Sequence, residues 1–155
     1  YFSELSKICL GLKERSDRTD IAKAFSIADE SIFCSWLHTI NYIRNICAHH
    51  ARLWNIKVDV IPKKYYNKTN DTLKANDVVV MRSNNCEYPF DYTLTEELLP
   101  GDYYTLCVIL YMLQTVNPRT KFKQHFYKLL EKYPIVNTGV MGFPENWKEM
   151  PIWKK

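Results

Sequence analysis

Apolar residues recur at helical spacing along most of this chain, the pattern of amphipathic helices. In residues 1–14 the recurring positions are Phe2, Leu5, Ile8, Cys9 and Leu12, which predicts a first helix. After a polar break from Ser16 to Arg18, Asp17 can cap a short second helix through Phe25, with Ile21, Ala24 and Phe25 turned inward. The third pattern is the strongest. Asp29 reads as an N-cap, and Phe33, Trp36, Ile40, Ile43, Cys47 and Trp54 form one apolar stripe that carries the helix to about Trp54. His38, Asn41, Asn45, His49 and Arg52 form a polar stripe on another face. At about 100° per residue, all of them fall within roughly 40° of Asn45.

The texture changes over residues 55–101, where Asn, Asp, Lys, Tyr and Pro dominate. This stretch reads as an irregular insertion between helices three and four. It is too long for an ordinary connection, and the run from Asp77 to Arg82 could supply a strand of a small hairpin. A fourth helix is expected from about Asp102 to Val116. Asn117 then reads as an N-cap with Pro118 at the first helical position, opening a fifth helix to about Tyr133. Its inner face holds Phe122, Phe126, Leu129, Leu130 and Tyr133, beside a basic stripe of Lys121, His125, Lys128 and Lys132. From Pro134 the tail is rich in Trp and Pro. Pro144 and Pro151 forbid one long helix, and Phe143, Trp147 and Trp153 predict that it packs on the rest. The expected fold class is therefore all-α: about five helices in one domain over 1–155, with the insertion inside it.

Composition narrows the chemistry. The 155 residues are 46% hydrophobic, too apolar for intrinsic disorder. Only four glycines occur, and neither GxGxxG nor GxxxxGK[ST] is present, so nucleotide-binding folds lose their main support. The net charge of +4 permits an RNA partner without proving one. The five cysteines are odd in number, widely spaced and never CxxC. A disulfide framework or zinc site is not expected, and Cys34, Cys47 and Cys107 read as small core residues in a reducing cytoplasm. No metal and no cofactor is called for, and no apolar run is long enough to span a membrane. The first residue is Tyr1, so a preceding part is an open expectation.

The informative segment is LHTINYIRNICAHHARLWN, from Leu37 to Asn55. Asn45 and His49 are i and i+4 and share a face, while Arg44 lies about 140° from His49 and must bend its side chain to reach it. These residue types suit RNA cleavage. RNA carries its own nucleophile, the 2′-hydroxyl, and a base of near-neutral pKa can take its proton. A guanidinium can clamp the charge that grows on the phosphate, and an amide can orient either partner. Spacing alone is weak: Arg119 and His125, separated by five residues, show how readily a related pair arises. The adjacent His49 and His50 splay by about 100° on a helix, which disfavours a shared metal. The Lys121, His125, Lys128 and Lys132 stripe is a possible RNA track and also the ordinary solvated face of a helix.

The wider string adds weight. RNICAHHARLWN closely resembles the R-N-x-x-A-H-H-x-R-x-W-N signature of Abi-like (AbiD/AbiF) abortive-infection proteins in the HEPN superfamily. The tail MGFPENWKEMPIW resembles that family's MGFP-x-x-W…PLW motif, with Ile152 in place of Leu, and the segments YFSELSKICLGL, RTDIAKAF and SWL are also similar to it. The resemblance implies a HEPN-type helical bundle and a metal-independent endoribonuclease site of the R-x4-H kind. Arg44, Asn45 and His49 would be catalytic, with His50 and Arg52 in supporting positions. It further implies RNA as partner, a homodimer whose two copies share one cleft, a bacterial cytoplasmic setting and a role in phage defence. Two other readings stay open: a non-catalytic RNA-binding or regulatory module, such as the partner of a toxin, antitoxin or small RNA, and a structural dimerisation domain. The intact Arg-Asn-His set separates the first of these from a nuclease, and salt-dependent RNA affinity separates the second.

Overall fold

A computed structural model describes residues 2–27, 29–51, 53, 59–63, 79–83, 86–90, 101–150 and 152–154. Among these the chain is helical, as expected. Five α-helices run in order: α1 (Phe2–Gly11), α2 (Arg15–Ala24), α3 (Glu30–Ala48), α4 (Gly101–Val116) and α5 (Phe122–Lys132). Within the insertion, β1 (Val79–Ser83) and β2 (Cys86–Phe90) pair antiparallel, from Val79 opposite Phe90 to Ser83 opposite Cys86. The chain divides into two compact units, Tyr1–Tyr66 and Asn67–Lys155.

In the first unit α1 and α2 both pack on α3. Asp29 caps α3 as expected, its side chain accepting a hydrogen bond from the Ser31 N–H at 2.8 Å. Such a cap contributes about 1 kcal/mol. The buried face of α3 holds Ile32, Phe33, Trp36, Leu37 and Ile43, and Phe25 packs on Phe33 with ring centroids 5.0 Å apart. The Trp36 indole N–H donates to the Lys63 carbonyl at 2.8 Å, and the Lys63 N–H donates to Ser35 Oγ at 3.0 Å. These two bonds fasten residues 59–63 to α3. Cys9 of α1 and Cys34 of α3 are free thiols with sulfurs 3.0 Å apart. Burial, with Cys9 second, pushes Cys34 up to about 12.

Several inward assignments need correction. Among the described side chains of α1, Ser6 and Cys9 are buried, while Leu5 and Ile8 are 49% and 60% exposed. α2 starts at Arg15 with Glu14 as an N-cap that makes no side-chain bond, so Asp17 lies inside the first turn rather than capping. Ala22 is its buried residue; Ile21 and Ala24 are exposed. Cys47 is exposed, not core, because the buried face of α3 ends at Ile43.

In the second unit α4 spans the expected range and buries nearly its whole circumference, from Tyr103 to Met112, as a core helix does. The tail packs as the sequence predicts. Asn137 caps a short 3-10 turn (Thr138–Met141), and Gly142 follows it at φ 76, a left-handed backbone that suits glycine. Phe143, Trp147 and Trp153 are all buried and gather around Phe126 of α5, with centroids 5.8, 6.0 and 5.2 Å from its ring. The Trp153 indole N–H donates to Cys107 Sγ at 3.3 Å. Burial pushes that thiol up to about 12, against the lowering effect of its contacts with Trp153 and Tyr103. α5 itself begins at Phe122, later than the sequence suggests. Asn117 Oδ1 accepts from the Arg119 N–H at 3.1 Å, an Asx turn that imitates a cap without starting a helix. Leu129 and Tyr133, read as inward, are about half exposed, and no residue of α5 is fully buried.

Candidate functional site

The candidate residues sit where α3 ends. The sequence places them mid-helix, on a rod reaching Trp54; the structure stops the helix at Ala48. His49 is the C-cap at φ −87 and ψ 15, and its N–H still bonds the Asn45 carbonyl at 3.0 Å. His50 then turns left-handed at φ 55. The His50 N–H bonds the Cys47 carbonyl at 3.0 Å and the Ala51 N–H bonds the Ile46 carbonyl at 3.1 Å. This crossed pair is a Schellman terminator, which usually carries glycine at the left-handed position. Nothing in the helical periodicity reveals it, because neither Gly, Asn nor Pro marks the turn.

The terminator alters the polar stripe. Asn45 and His49 keep their i, i+4 relation through the backbone bond, but His49 is the last residue that can share the face. Arg52 lies outside the described residues, as does Trp54. Arg44 does bend. Its Nη1 donates to Asn45 Oδ1 at 3.0 Å, which brings the guanidinium onto the flank that carries Asn45. Arg44, His49 and His50 are exposed and Asn45 half-buried, so no buried charge burdens the site. Further up the stripe, His38 is exposed, whereas Asn41 has a buried Oδ1 with no hydrogen-bond partner among the described residues. The stripe is therefore less uniformly solvated than its periodicity suggests.

This arrangement presents a fixed cation with an amide beside it, and an imidazole one turn later. It can grip an oxyanion and exchange a proton near it. Among the described residues no group of three His, Cys, Asp or Glu side chains clusters as metal ligands, and no helix is long and apolar enough to cross a membrane.

The basic stripe of α5 belongs to the second unit. Lys121, His125, Lys128 and Lys132 are all exposed, and Lys132 Nζ stands 5.2 Å from the Tyr133 ring centre. A groove of about 460 Å³ beside them is lined by Thr120, Lys123, Gln124, Tyr127, Lys128 and Glu131, so only Lys128 of the stripe faces it. Lys123, which the stripe omitted, donates to the Lys154 carbonyl at 2.7 Å, and burial lowers its ammonium below the ordinary value.

No curated protein and no solved structure matches the chain. A family model does: the one described as Abi-like protein, over residues 1–55. The matched stretch ends at Asn55 and contains the whole string RNICAHHARLWN; the insertion and the tail lie beyond it. The segment that carries Arg44, Asn45 and His49 is thus similar to the Abi-like proteins.

Proposed function

We propose that this chain is a metal-independent endoribonuclease acting in abortive infection against phage, with Arg44, Asn45 and His49 as its catalytic residues. One observation carries the reading: within the segment matched to the Abi-like family, Arg44 leans onto Asn45 at 3.0 Å, one turn before an exposed imidazole at a fixed helix end. His49 takes the proton from the 2′-hydroxyl of the RNA. That oxygen attacks the adjacent phosphorus, the P–O5′ bond breaks, and the leaving 5′-oxygen receives a proton. The products carry a 2′,3′-cyclic phosphate and a 5′-hydroxyl. Arg44 holds the non-bridging oxygens as charge develops, worth roughly a hundredfold or more in rate. Asn45 orients the guanidinium. A second copy of the chain, related by a twofold axis, would bring its own Arg44 and His49 to the same cleft and supply the acid that the leaving oxygen needs.

The test is cleavage of RNA by the purified protein in the presence of a chelator, compared with RNA that carries a 2′-deoxy residue at the scissile position. The reading expects chelator-resistant cutting, a cyclic phosphate on the product and no cutting of the deoxy substrate. Cleavage abolished by EDTA would remove the metal-free mechanism. RNA bound but never cut, alone or in cells under phage attack, would turn the reading into that of a regulatory RNA-binding module.

A further inference from the structure

An open groove of about 500 Å³ lies along the first half of α3, lined by Leu10, Arg18, Glu30, Ser31, Cys34, Ser35, His38 and Lys63. That volume is within the range of small-ligand sites. Its charge is mainly positive. Two cations, Arg18 and Lys63, face it beside the His38 imidazole, and the carboxylate Glu30 is already engaged by Arg15 Nε at 2.7 Å. The hydroxyls of Ser31 and Ser35 add donors, while Leu10 and Cys34 give an apolar floor. Two features hold it in shape. Arg18 Nη1 donates to the Leu12 carbonyl at 2.6 Å, and the Lys63 backbone is fixed to Trp36 and Ser35.

The groove is aligned with the Arg44–His49 site. His38 and His49 are eleven residues apart on one stripe, within about 20° of each other and separated by roughly 16 Å along the axis. At the stacked rise of about 3.4 Å per nucleotide, that distance takes about five nucleotides of a single strand.

We propose that this groove is a second subsite for the same RNA strand, in which Lys63, Arg18 and His38 hold a backbone phosphate several nucleotides from the cut. The proposal rests on the ribonuclease reading and adds to it a substrate class: single-stranded RNA long enough to reach from His49 to His38. The apolar floor receives a sugar or a base edge, and the serine hydroxyls bond to phosphate or 2′-oxygens.

The experiment measures binding of two single strands, of about four and about ten nucleotides, each with 2′-deoxy at the scissile position. It compares the parent protein with Lys63→Gln, His38→Gln and the double variant. Both side chains are exposed, so the substitutions open no cavity, and thermal melts check the fold. Lys63→Arg serves as the charge-conserving control. In the parent, the longer strand should bind more tightly. The double variant should lose about tenfold of that advantage, the worth of a charge-assisted hydrogen bond. The slope of log affinity against log salt should fall by about one for each phosphate that is no longer held, and Lys63→Arg should retain both. An undiminished advantage and an unchanged slope in the double variant would overturn the subsite while leaving the ribonuclease reading intact. A parent that binds neither strand would overturn the ribonuclease reading, and the subsite with it.

Discussion

α3 and α5 look alike in sequence, each an amphipathic helix with a polar stripe beside an apolar one, yet they are held in opposite ways. α3 buries Ile32, Phe33, Trp36, Leu37 and Ile43 and then runs one further turn in which Asn45 and Ile46 are only half-buried, so the exposed Arg44, His49 and His50 project from a firmly anchored rod. α5 buries no residue fully; what holds it is Phe126 and Tyr127 lying against Trp147 and Trp153 of the tail. A helix anchored at one end and bare at the other can fix a side chain in space at no cost to the core. A helix propped along its flank by a tail depends on the prop. On the proposed reading the chemistry sits at the end of α3, and the lysines of α5 fit a solvated outer face.

The contrast can be broken most forcefully at the prop. Trp153 is completely buried and central to the aromatic cluster, so Trp153→Ala should cost about 3–5 kcal/mol, read by denaturant melts. A loss under about 1 kcal/mol would mean that the tail is not what holds α5.

At the free end of α3 the expected effect is catalytic instead. His49→Ala and Arg44→Ala should each lower RNA cleavage by about a hundredfold or more while shifting stability by no more than about 0.5 kcal/mol, since both side chains are exposed. If either variant cuts RNA as fast as the parent, that residue has no part in the reaction. His50→Gly should raise stability by about 1 kcal/mol, because histidine at φ 55 carries strain that glycine does not. A destabilised glycine variant would show that the imidazole makes a supporting contact. The smallest effect is expected on α5: replacing Lys121, Lys128 and Lys132 with Gln should change RNA affinity less than about twofold each and reduce the salt slope by less than about one in total. A steep loss there would make α5 an RNA track and erase the contrast.

What the sequence disclosed follows the same division. Trp36, Phe143, Trp147 and Trp153 were legible as core from their bulk, whereas Leu129 and Tyr133, also read as inward, are about half exposed. Periodicity reveals that a helix exists but not which neighbours cover it, and Ser6 and Cys9 are buried in α1 where Leu5 and Ile8 are not. Backbone turns without their usual residues stay hidden. The left-handed His50 lacks a glycine to announce it, and Asn117 closes an Asx turn that has the same composition as a cap. The residues of the candidate site were readable as candidates from their types and order. Their seat at a helix end was not, because it depends on the carbonyls of Ile46 and Cys47 rather than on any side chain.

That terminator sets two selections against each other at one codon. A library randomised at position 50 and sorted only for folded protein should fill with glycine and asparagine, the residues that adopt a left-handed backbone with least strain. The same library sorted for protection against phage has a different optimum wherever the imidazole contributes. The distance between the two winning sets measures, without any assay of mechanism, how much folding stability the chain gives up to keep a second histidine beside the first.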